Sequence, residues 1–79
     1  MRDDPIEALR RALQWTVNRW TDSWSVKLGD NRYWWHARAG KHGEVMVSRS
    51  GRDPRRLGYH TRLDRVEEAI VLDYLGPRR

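Results

Sequence analysis

After Trp20 the spacing of the apolar residues drops from three and four to two, and a chain that changes period in this way must combine helix with strand. Ile6, Leu9, Leu13, Val17 and Trp20 fall on one stripe of a helix, with Ala8, Arg11, Trp15 and Arg19 on flanking or outer positions. Asp3 or Asp4 ahead of Pro5, with Glu7 three residues after Asp4, supplies a carboxylate cap, a first-turn proline and an acid able to reach back to the cap. This pattern predicts a helix from about residue 4 to Trp20. Trp24, Val26 and Leu28 then alternate with Ser23, Ser25 and Lys27, the signature of a first strand. Gly29-Asp30-Asn31 is a tight-turn tripeptide and residues 32 to 38 form a second strand. In that strand Tyr33, Trp35 and Ala37 point one way, while Arg32, Trp34, His36 and Arg38 point the other.

The glycine-punctuated run 39–43 leads into a third strand, Glu44-Val45-Met46-Val47-Ser48-Arg49. Residues 50 to 58 have loop composition and carry three Arg, so they read as an exposed basic excursion. A last helix is capped by Thr61 with Asp64, or by Asp64 with Glu67, and is stopped by Gly76-Pro77. The expected architecture is α+β: helix, three-stranded antiparallel β-meander, helix, with both helices on the face presented by Trp24, Val26, Leu28, Tyr33, Trp35, Val45 and Val47. At 79 residues the chain is one small domain, residues 1–79. The last helix is apolar beyond one stripe, because Val71, Leu72 and Leu75 lie outside the row of Val66, Ala69, Ile70 and Tyr74. Either the first helix packs beside it or a second copy of the chain does, a homodimer through the C-terminal helix.

Five Trp and three Tyr supply enough apolar area for a core, and the absence of Cys excludes disulfides, thiolate zinc sites, iron–sulfur clusters and thiol nucleophiles. No apolar run approaches the roughly 20 residues of a membrane span, and the N-terminus lacks the apolar stretch of a signal peptide, so a cytoplasmic protein without membrane contact is expected. His36, His42 and His60 match no ligand spacing and no carboxylate cluster joins them, so neither a metal nor another cofactor is expected. Ser48, Ser50 and Thr61 lack an acid–base constellation, and no phosphate-cradling glycine motif is present. Enzyme activity is not expected.

The net charge of +5 comes from 14 Arg and 2 Lys against 11 acids, and so heavy a preference for Arg over Lys also fits the residue usage of a GC-rich genome. Position is more informative than the total. Residues 1–31 are neutral in sum, residues 66–79 carry one net negative charge, and residues 32–65 hold a surplus of six positive charges. The face opposite the helices would show Ser25, Lys27, Arg32, Trp34, His36, Arg38, Met46 and Ser48. Guanidinium groups pair with phosphates or base edges, and an indole face stacks on an unpaired base. The expectation is therefore a small nucleic-acid-binding protein, DNA or RNA, with Lys27, Arg32, Trp34, His36, Arg38, Arg49, Arg52, Arg55 and Arg56 at the interface. The rival reading is a protein-interaction module, of a phage-borne or accessory kind, whose Trp and Arg residues bind an acidic protein surface. Pairing of Arg32 or Arg38 with Glu44 or Asp30 would weaken either reading.

Arg32-Tyr33-Trp34-Trp35-His36-Ala37-Arg38, His42-Gly43-Glu44-Val45-Met46-Val47 and Gly58-Tyr59 give residues 24–70 a resemblance to the small YegP-like family, whose function is unknown. The loop at 50–57 is longer than that family's pattern, the helix after Gly58-Tyr59 is shifted by one residue, and the N-terminal helix lies outside the likeness. In element order the chain also resembles the sheet-and-helix DNA-binding domains of integrase arm-binding and ethylene-response-factor proteins. It is similar in order to double-stranded RNA-binding domains too, without the lysine cluster that starts their last helix. Such likenesses imply a fold and leave function open.

Overall fold

A computed structural model describes residues 4–36 and 43–76. Asp4 caps the first helix, α1 (Pro5–Ala12), by accepting from the Ile6 N–H at 2.9 Å, and Pro5 occupies the first turn. Glu7 does not reach back to the cap; its carboxylate takes the Arg10 guanidinium at 2.6 Å. The helix ends at Ala12, well short of Trp20, because Leu13 adopts an extended conformation and Trp15-Thr16-Val17 is an aromatic and β-branched run that suits a strand. Residues Thr16–Asn18 form β1. Then follow β2 (Ser23–Leu28), β3 (Asn31–His36), β4 (Glu44–Arg49), β5 (Arg55–Tyr59) and the helix α2 (Leu63–Leu75).

The fold is α+β, but the three-stranded meander expected from the sequence is corrected to a five-stranded antiparallel sheet in the order β1-β2-β3-β4-β5. Both additional strands lie at the edges. One was masked by an accidental helical spacing through Leu13, Val17 and Trp20; the other lies in the basic stretch read as a loop, of which only the part before Arg55 connects strands. Opposite Val45 and Met46, β5 contributes Gly58 and Arg56, so Leu57 is the extra residue of a bulge. Leu57 packs against the core, Arg56 shares a side of the sheet with Met46, and Arg55, opposite the buried Val47, takes the other side.

The inner face carries Val26, Tyr33, Trp35, Val45 and Val47, all buried, and α2 closes it with Val66 and Ile70. Trp24 bridges Trp15 and Trp35, with ring centroids 5.8 and 5.7 Å apart. The Trp15 Nε1–H donates to Glu67 at 3.0 Å, and Arg10 approaches the same carboxylate at 4.0 Å, so the end of α1 and its linker are fastened to α2. No side chain caps α2: Arg62 holds the N-cap position, and Asp64 accepts from the Arg65 N–H and the Arg62 guanidinium. Gly76 ends the helix, as its place in the sequence implied. Gly43, at φ 85°, sits where a Cβ would lie 2.2 Å from the His60 carbonyl oxygen, so a larger residue cannot take its place without moving backbone.

Candidate functional site

The register fixes what the outer face presents. Three rows cross it: Lys27–Arg32–Ser48, then Ser25–Trp34–Met46–Arg56, then Ser23–His36–Glu44–Tyr59. Lys27 and Arg32 are both exposed and stand directly opposite each other, an arrangement in which like charges repel. Among the described residues no carboxylate lies within ion-pairing distance of either. The expected alternative, Arg32 neutralised by Asp30 or Glu44, is not what the side chains do.

A third cation is brought to the same end. Ser48, opposite Arg32, donates its hydroxyl to the Arg52 carbonyl at 2.7 Å, while Ser50 N–H donates to the Asp30 carbonyl at 2.9 Å. The loop after β4 is thereby bonded to the β2–β3 turn, with Ser50 at φ 51° and Gly51 at φ 76° making its bend. Arg52 is exposed and has no ion pair among the described residues. Beside these cations lies a shallow hollow of about 370 Å³ lined by Lys27, Asp30, Arg32, Trp34, Ser48 and Gly51. A second, of about 400 Å³, shares Lys27 and Arg32 and adds Gln14, Thr16 and Ser25. The two cations form the ridge between the hollows, and Trp34, half-buried, forms a wall of the first.

The opposite end of the face differs in charge. Glu44 is only 9% exposed, and the Arg56 Nε holds its carboxylate at 3.4 Å while the guanidinium carbon lies 5.2 Å from the centre of the Tyr59 ring. His36 stands next to Glu44 in the same row, and together with Trp34, Met46 and Pro54 they line a hollow of about 280 Å³. Arg56 is thus already occupied.

Arg49 is occupied as well, on the inner side. It faces Asn31 across the ladder and its guanidinium pairs with Asp73 of α2. Asp73 also accepts from the Tyr33 hydroxyl at 2.8 Å, and that hydroxyl accepts from the Asn31 amide at 3.0 Å. Burial, reinforced by the Asp73 carboxylate, pushes the Tyr33 phenol up to about 12. This network ties β3 and β4 to the last helix.

Of the residues expected at the interface, Lys27, Arg32, Trp34 and Arg52 are gathered at one end of the outer face. His36 and Arg56 flank Glu44, Arg49 and Arg55 lie off that face, and Arg38 falls outside the described residues. Trp20, placed by its spacing on a buried stripe, is 97% exposed in the β1–β2 turn. Tyr59, 53% exposed at the end of β5, is a further aromatic of this face that the expected interface did not include.

No family model, curated protein or solved structure matches the chain. The likeness of residues 24–70 to the YegP-like family rests on the motifs quoted for it alone. No described helix is long and apolar enough to cross a membrane.

Proposed function

We propose that this chain binds single-stranded nucleic acid, DNA or RNA, on the outer face of its sheet. The observation that carries the reading is the pair of opposed, unneutralised cations, Lys27 and Arg32, set against a half-buried indole. Repulsion between them is relieved when a phosphate lies between or beside them, so the folded face favours an anion before any ligand arrives. Arg32 offers a planar fork to phosphate oxygens, Lys27 a compact charge, and Arg52 extends the cationic end along the loop. Trp34 gives the same ligand a surface for one unpaired base, a contact of about 1–3 kcal/mol that every base can make. The interface is correspondingly smaller than the sequence implied, because Arg49 and Arg56 are engaged with Asp73 and Glu44.

The test is the salt dependence of affinity for a fluorescent oligothymidylate and an oligouridylate. Three phosphate contacts on a single strand give a slope of log K against log salt of about −2, and the double replacement Lys27→Gln with Arg32→Gln should bring it to about −0.7. An unaltered slope in that variant contradicts the reading. Competition by polyglutamate as effective as competition by oligonucleotide would reassign the face to acidic protein surfaces.

A further inference from the structure

We infer that Trp20 is a second base-stacking site, on the β1–β2 turn, engaged by strands longer than the sheet face alone can hold. The inference rests on the reading of the outer face given above. Trp20 is 97% exposed, so its indole packs on none of the described residues, and truncating it should leave stability within about 0.5 kcal/mol. Its backbone is nonetheless held. The Asn18 side-chain oxygen accepts from the Trp20 N–H at 2.9 Å and from the Thr21 N–H at 3.4 Å. Thr21 and Ser23 hydroxyls bond each other at 2.7 Å, and Asp22 closes the turn at φ 53°. A bare indole on a fixed turn is presented to a ligand with little backbone left to order on binding, which leaves more of the stacking free energy as affinity.

Position selects the ligand. The turn joins β1 to β2 at the Ser23 end, opposite the end that carries Lys27, and Asn18 and Ser23 face each other just below it, so a strand running from the cations past Trp34 reaches the turn last. Trp34 stands opposite Ser25, one row further along, so the two indoles are separated by one intervening strand and a few residues. A flexible chain with a stackable group at every repeat spans such a gap and meets both platforms; a single strand of nucleic acid is such a chain. The Trp20 indole carries no charge, so its contribution is stacking rather than phosphate pairing. The effect of Trp20 should therefore be nearly independent of salt, unlike that of Lys27 and Arg32.

The experiment compares the full chain with Trp20→Ala and Trp20→Phe, using oligothymidylates of about four and about twelve nucleotides. Trp20→Ala should weaken binding of the longer strand about tenfold, leave the short strand unaffected, and change neither the salt slope nor the thermal midpoint; Trp20→Phe should recover most of the loss. Wild-type affinity for the longer strand in Trp20→Ala, with the loss in the Lys27 and Arg32 variant intact, overturns the inference and spares the outer-face reading. Absence of binding by the unaltered chain overturns both.

Discussion

Four of the five tryptophans divide between the two sides of one sheet, and the sides treat them differently. Trp15, Trp24 and Trp35 form a contiguous stack on the inner side, where the indole N–H groups of Trp15 and Trp35 donate to Glu67 and to the His60 carbonyl. Trp34 is half-buried on the outer side, and Trp20 stands bare on a turn. The charges divide by end as much as by side: Arg49 is matched by Asp73 and Arg10 by Glu7 and Glu67 on the inner side, and Arg56 by Glu44 at one end of the outer side, whereas Lys27 and Arg32 stand opposed at its other end with no carboxylate partner among the described residues. A region that satisfies its own polar groups holds the fold together; one that leaves like charges side by side is arranged for something outside the molecule.

Neighbouring residues of β3 offer the strongest way to break this contrast. Trp35→Ala, on the inner face, should destabilise by about 3–5 kcal/mol, seen as a lower urea midpoint at unchanged slope. Trp34→Ala should cost markedly less stability while weakening nucleic-acid binding. Equal losses of stability would erase the distinction between the faces.

The inner network has its own alkaline signature. Tyr33 keeps its proton in the folded state up to about pH 12, whereas an unfolded tyrosine loses it near pH 10, so the native state binds more protons across that interval. Stability attached to this group is complete below about pH 10 and is lost as pH rises through about 12. Tyrosinate absorbance should show the Tyr33 phenol ionising late, together with the fall in thermal midpoint. Asp73→Asn should bring both changes to lower pH, because that carboxylate helps keep the phenol protonated.

Smaller effects separate cations that look alike in sequence. Arg56→Ala removes the partner of the nearly buried Glu44 and should lower stability by about 1 kcal/mol, a value kept modest by the exposure of the guanidinium. Arg32→Gln should change stability by no more than about 0.5 kcal/mol, in the stabilising direction because repulsion from Lys27 is lifted, while nucleic-acid affinity drops several-fold. Stability and binding moving in opposite directions distinguishes a cation left open to a ligand from a structural one.

The central three strands were readable because alternation alone sorts Tyr33 and Trp35 from Trp34, and burial follows that sorting. The edge strands were not readable. Thr16–Asn18 is exposed throughout and writes no burial pattern into the sequence, while the bulge at Leu57 breaks the alternation of β5. The surplus of charge in residues 32–65 was plain, but its availability depends on tertiary pairing. Asp73 and Glu44 occupy Arg49 and Arg56, and no linear sum of charges shows which cations such acids take.

The most direct test uses the tryptophans themselves, through the indole N–H resonances of the intact protein during titration with an oligothymidylate. The Trp34 and Trp20 signals should move while those of Trp15 and Trp35, hydrogen-bonded beneath the sheet, stay in place. Movement centred on Trp15 and Trp35 with Trp34 unchanged, or no movement at any indole, would contradict binding on the outer face.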